Sequence, residues 1–352
     1  MVKGAVMQLK GETSPLDGDD LATEAAGFQH LDASKGRTRY AGPLGAFVPW
    51  AMVVLLALMF ITFCFLLPDT FASVANVRVM VEGQATVLLL AMALLIPLRA
   101  GDFDLSVSAV MVLTGAAVGI LTLNNESAWM VYLLPLLIGP VVGVVNGLLV
   151  VKVGIDSFIA TLGTLTILGG LSIFLSGGTL VTTIPPELSD FASHRFLGLT
   201  TFVWIGWIVA GIIWYVFELT PVGRFLLFVG GNRASAELAG LRVTSLRVGS
   251  FIVSGALASL AGMLFAGSLG AVDTSSNSAY LLPPITAAFL GTSAIKVGRF
   301  NVAGTLVALY LLTVGITGLV LLGFDSWVSD VFNGACLILA VAFTIVVRRG
   351  SK

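Results

Sequence analysis

Charge is what this 352-residue chain has least of: only 11% of its residues are Asp, Glu, Lys or Arg, against a hydrophobic share of 57%. Soluble domains are about a quarter charged, so a soluble globular protein is excluded and the apolar runs must serve as bilayer spans. The mean hydropathy of +1.02 says the same. A net charge of −1 removes the electrostatic basis for a nucleic-acid partner. The only two cysteines, Cys64 and Cys336, both lie inside apolar runs and have neither a disulfide framework nor metal-ligand spacing. The two histidines, His30 and His194, sit in polar stretches, which leaves no histidine-centred active site. The chain also lacks a G-x-x-x-x-G-K-[ST] loop, a Ser-His-Asp set and an H-E-x-x-H motif, so it does not itself hydrolyse ATP by the phosphate-loop route. No cofactor, metal or catalytic residue is expected. Ionisable groups are missing from the middle of the spans, which disfavours a proton- or sodium-driven carrier, and no arginine ladder supports a voltage sensor.

What is present is an all-α integral membrane protein of about ten transmembrane helices. The apolar segments are 46–67, 79–98, 105–123, 130–151, 158–175, 202–217, 248–269, 281–294, 302–322 and 328–347. The third, fifth, sixth and eighth are short or interrupted by glycine, and these are the ones expected to be tilted, broken or partly re-entrant. Residues 1–44 are polar, lack a signal-peptide pattern and read as a mostly disordered cytoplasmic tail. The membrane body is 45–347, and 348–352 is a short cytoplasmic tail. With the amino terminus inside, sixteen Lys and Arg fall in inside segments and only Arg78 and Arg195 fall outside. That bias fixes both termini in the cytoplasm and supports an even number of spans.

The cytoplasmic loop 218–247 contains the basic stretch 221–247, with Arg224, Arg233, Arg242 and Arg247 against the single acid Glu237. Within it Asn232 can cap a helix from about Arg233 to Ala239, and Gly240 sits where a left-handed C-terminal residue is favoured. So short a helix is marginal alone and needs a partner to pack against. The outer loop 176–201 is either a docking surface for an external partner or a plain connection. Gly139, Gly143 and Gly147 share one helical face and allow close backbone approach, within the chain or across a dimer. Neutral polar side chains scattered through the spans, such as Asn146, Thr161, Thr164, Thr317 and Asn333, suit either a path for a neutral hydroxyl-rich solute or ordinary interhelical hydrogen bonding.

From the second apolar segment onward the motifs resemble, in order, the permease subunits of ribose-type ATP-binding-cassette (ABC) importers. Phe103-Asp104-Leu105-Ser106-Val107 is similar to that family's Asp-Leu-Ser-Val approach to the third span, with Asp102-Phe103 in place of Gly-Ile and Ser108 in place of Gly. Asn146-Gly147-Leu148 and Phe158-Ile159-Ala160-Thr161-Leu162-Gly163-Thr164 follow. So do Gly230-Gly231-Asn232, Gly240-Leu241 and Gly291-Thr292-Ser293, though 294–300 replaces the usual glycine-rich turn and Gly169 stands where an arginine is frequent. The resemblance implies a bacterial inner-membrane permease that pairs with a second copy, two cytoplasmic ATP-binding subunits and a periplasmic solute-binding protein. It assigns the coupling helix resting on the ATPase to Asn232, Arg233, Ala234, Ala236, Glu237, Leu238 and Gly240. The candidate translocation path takes Asp104, Ser106, Asn146, Thr161, Thr164 and Asn333. The solute implied is a monosaccharide or similar neutral polyhydroxy molecule, carried by alternating access. An ATP-independent carrier or channel, or an intramembrane enzyme or scaffold, are the rival readings.

Overall fold

The computed structural model describes residues 48–349; the expected tail 1–44 and residues 350–352 of the carboxyl-terminal tail lie outside the described residues. The elements in chain order are α1 (Ala51–Leu66), α2 (Val74–Gly83), α3 (Ala85–Arg99), α4 (Val107–Leu123), α5 (Ala128–Leu148), α6 (Ser157–Ser176) and α7 (Pro186–Ser193). A two-stranded hairpin, β1 (Arg195–Phe196) and β2 (Leu199–Thr200), leads into α8 (Thr201–Leu219) and α9 (Pro221–Gly231). Then come α10 (Arg233–Leu238), α11 (Val243–Leu269), α12 (Leu282–Leu290), α13 (Val302–Leu321) and α14 (Trp327–Arg349).

Two helices set the interior. All fifteen residues of α3 are buried, so an apolar surface all round is matched by protein all round. α11 lies beside it and packs on α3, α4 and α5. The contact with α5 is made by backbone. A Cβ added at Gly139 would overlap the Gly255 carbonyl, and one at Gly143 would overlap the Phe251 carbonyl. Gly147 lies over Val248, whose Cα would be 3.1 Å from such a Cβ. Ser259 Oγ accepts the Gly139 N–H at 2.7 Å across the same seam. Away from the seam, α5 exposes Leu133, Leu137, Val141 and Val145, a surface that only lipid or another protein satisfies.

Among the described residues, six helical stretches are long and apolar enough to cross a membrane: Val74–Arg99, Ala128–Val153, Ser157–Ser176, Thr201–Leu219, Val243–Leu269 and Val302–Leu321. Of the other four apolar segments, the first, third and eighth contain shorter helices and the tenth contains α14. The third is irregular over 102–104 and turns at 105–106 before α4 starts, and the eighth is the nine-residue α12 followed by a 3-10 turn at Gly291–Ser293. The fifth and sixth, expected to be broken, are continuous helices of 20 and 19 residues. Gly163 and Gly170 sit in α6 with open space around the missing Cβ, so they interrupt nothing. The unexpected interruption is in the second segment, where Gln84 separates α2 from α3.

The outer-loop segment 176–201 is structured. Val181 and Val272 exchange both backbone hydrogen bonds, at 3.0 and 2.8 Å, α7 follows, and Arg195 pairs with Glu82 at 3.2 Å. The turn before α13 is closed by Asn301, which is 2% exposed. Its Oδ1 accepts from Gly304 N at 2.7 Å, and its Nδ2 faces the carbonyls of Gly291, Ala294, Lys296 and Arg299 at 3.0–3.4 Å.

Candidate functional site

The stretch after α8 is more ordered than a basic loop. Its first part is the helix α9, which buries Gly223, Leu226 and Val229 and takes up the start of what the sequence shows as a basic loop. Asn232 then accepts the Ser235 N–H at 3.0 Å and starts α10. Ala236 is buried with Val229 and Val243. Gly240, at φ +78°, ends the helix: its N–H bonds to Glu237 O at 2.9 Å, and that of Leu241 bonds to Ala236 O at 3.1 Å. This pair of bonds satisfies the last carbonyls of a helix too short to be stable alone. One face of α10 is thereby held, while Ala234, Glu237 and Leu238 face outward, Leu238 with 91% of its surface free.

The base of this hairpin-like unit is fixed to the α3–α4 connection. Asp102, 1% exposed, takes Arg247 through two bonds of 2.7 Å, Nε to Oδ2 and Nη2 to Oδ1. Arg233, the first residue of α10, reaches the same carboxylate at 2.9 Å and also bonds the Gly101 carbonyl at 2.9 Å. A buried carboxylate is tolerable only with such pairing, and the two-pronged arginine geometry adds directional constraint. Next to it, a Cβ at Gly230 would overlap the Arg99 carbonyl, so the end of α9 rests directly on the 99–101 backbone.

Arg99 is the residue that sequence reasoning missed. It is 6% exposed, lies 4.3 Å above the Phe217 ring, and donates to the carbonyls of Gly223, Phe217 and Phe300 at 3.0–3.2 Å. Glu218 stands 3.9 Å away and pairs in turn with Lys296. Its partners are mostly backbone carbonyls, which leave no signature in a sequence. The only available hint was a lone arginine ending a wholly apolar run.

Five of the six candidate path residues form one network on the same side of the fold. Ser106 Oγ donates to Asp104 Oδ1 at 2.6 Å and accepts from Asn146 Nδ2 at 2.9 Å, while Thr164 Oγ1 donates to Asn146 Oδ1 at 2.7 Å. Thr161 Oγ1 accepts the Leu105 N–H at 3.1 Å, and Ser157 Oγ accepts that of Phe103 at 3.0 Å. Irregular backbone in an apolar interior needs such partners, and α6 supplies them. Asn333 is not part of this network. It lies on α14 at a cavity of about 340 Å³ near the start of α3, the opposite end of that helix from Arg99.

Apolar helices with lipid-suited faces, an irregular approach to α4 held by internal hydrogen bonds, and an exposed short helix braced on the helix ends define a multi-pass membrane permease. The chain belongs to the family described as branched-chain amino acid transport system / permease component, whose model matches residues 80–341. It is similar to the ribose import permease protein RbsC of Haemophilus influenzae, with 30% identity over 295 residues, 83% of this chain and 90% of the relative. The RbsC of Escherichia coli K12 is 29% identical over 279 residues, 78% of this chain and 87% of the relative. The autoinducer 2 import system permease protein LsrC of Photorhabdus laumondii is 29% identical over 271 residues, 77% of this chain and 81% of the relative. No solved structure matches. The chain is thus an inner-membrane permease subunit of the ABC-importer kind and not an enzyme.

Proposed function

We propose that this chain moves a monosaccharide or similar neutral polyhydroxy solute inward by alternating access, driven by a partner ATPase that contacts α9 and α10. In this reading about ten segments cross the membrane, both termini and the loop 218–247 are cytoplasmic, and 176–201 faces a periplasmic solute-binding protein. A second copy completes the pathway. The sixteen-to-two distribution of Lys and Arg supports the orientation. The names of the relatives, which import ribose and autoinducer 2, support the solute class.

The observation that carries the reading is the contrast within α10. Leu238 presents an apolar side chain to its surroundings, while Arg233 and Asn232 fix the other end of the same helix. A push on the exposed face is therefore delivered to Asp102 and Gly101, and so to α3 and α4. Leu238→Asp and Glu237→Lys are expected to lower uptake at least about tenfold with membrane insertion intact, because an interface anchor of this kind is commonly worth more than about 1.4 kcal/mol. Copurification of the nucleotide-binding subunit and uptake in proteoliposomes measure this. Normal uptake with the ATPase still bound removes α10 from the role.

A further inference from the structure

We propose that the cavity bounded by the α2–α3 junction, the segment before α12, and α13 and α14 is a binding site for the uncharged, hydroxyl-rich solute. It would be a station on the pathway one helix length from the coupling loop. This rests on the reading of the chain as an importer permease and names a site for its cargo. The cavity measures about 340 Å³. Small-molecule sites run from about 300 to 1,000 Å³ and combine apolar walls with a few convergent polar groups.

Six neutral polar side chains line it, Gln84, Tyr280, Thr313, Thr317, Ser329 and Asn333; Thr313 Oγ1 donates to the Leu309 carbonyl at 2.8 Å, which leaves five from four directions. Among the described residues, none of the five has a side-chain hydrogen bond, and Asn333 Oδ1 is fully buried with no partner. Buried polar groups nearly always find partners, so the idle Asn333 Oδ1, beside a space that the half-buried Gln84, Tyr280, Thr317 and Ser329 also line, marks a place where the partner comes from outside the chain. No Asp, Glu, Lys, Arg or His lines the cavity. A charged solute would therefore lie uncompensated, whereas hydroxyls that both donate and accept match amides and hydroxyls. Val87, Leu309 and Leu312 supply apolar wall for the carbon-bound face of such a solute. Tyr280 is set by the edge of Phe265, with ring centroids 5.1 Å apart at 73°, so its hydroxyl is held in place.

The position adds to the argument. Gln84 sits immediately before α3, and Arg99, Gly101 and Asp102 sit at and just past its far end, about 22 Å away along a fifteen-residue helix. Because α3 is buried along its whole length, a displacement of the coupling loop moves one wall of the cavity.

The test uses the complete importer, this chain with its ATPase and binding protein, in proteoliposomes supplied with radiolabelled D-ribose and a panel of pentoses, hexoses and polyols. Wild type is expected to move at least one of these. Gln84→Met and Asn333→Leu, each close in shape to the residue replaced, should each lower uptake about tenfold, the loss of roughly one hydrogen bond. Yield and copurified ATPase report folding. Unchanged uptake by the Gln84→Met/Asn333→Leu double variant overturns the cavity site and leaves the importer reading standing. A wild type that moves no neutral sugar or polyol overturns both. Should the double variant fail to fold, Thr317→Cys in a Cys64→Ser/Cys336→Ser background decides. Labelling by a neutral water-soluble maleimide, slowed several-fold by the transported solute, supports the site, and labelling indifferent to solute overturns it.

Discussion

The two polar clusters at opposite ends of α3 are made from similar side chains and are in opposite states. Near Arg99, Asp104, Ser106, Asn146, Thr161 and Thr164 are joined by internal hydrogen bonds. Near Gln84, the amides and hydroxyls face a cavity, and Asn333 Oδ1 has no partner. In a low-dielectric interior a complete network fixes backbone, while an incomplete one is a cost unless something else completes it. Residue type alone does not separate the two roles; whether the side chains bond one another or face a cavity does.

The comparison can be broken by substitution. The largest effect is expected at the charged edge of the satisfied cluster. Asp102→Ala leaves Arg247, with only 11% of its side chain exposed, facing no carboxylate. The expected cost is about 3–5 kcal/mol, read as a fall in thermal midpoint and folded yield in detergent. Gly143→Val follows, because a side chain there meets the α11 backbone rather than a flexible neighbour. About 1–3 kcal/mol is expected, again from thermal unfolding. Asn146→Leu, which strips Ser106 and Thr164 of a partner, should cost about 1–2 kcal/mol. The same change at the other cluster, Asn333→Leu, should stay within about 0.5 kcal/mol of wild type, since it deletes an acceptor that has no partner. Equal losses of stability for Asn146→Leu and Asn333→Leu would erase the distinction.

How much of this was legible in the sequence depended on distance along the chain. The Asn232 cap and the Gly240 terminator are local chemistry, and both were readable from a few residues. Each apolar segment does contain a helix, because length and hydropathy decide that without tertiary context. The Asp102 clamp joins residues 131 and 145 positions apart. From the sequence Asp102 was only a departure from a family pattern, and Arg233 and Arg247 were only positive charges. Glycine misleads in α6, where it suggests a tilted, broken or partly re-entrant span and the helix is continuous. Membrane helices keep glycine for close packing or simply tolerate it, since their backbone bonds have no water to turn to. In α5 the same residue type marked a real seam, and only the position of α11 distinguishes the two cases.

Asn301 has a consequence for how this chain can vary. Its amide holds the turn before α13 by facing four carbonyl oxygens, and every residue type carries a carbonyl. The side chains between Ser293 and Asn301 are therefore relieved of much of the work of shaping that turn, apart from Gly298, whose φ of +79° favours glycine. Held in this way, and with one glycine at Gly298, the turn accommodates an Ala-Ile-Lys-Val run at 294–297. The sequence there is free to follow demands other than folding, such as the Lys296 pairing with Glu218.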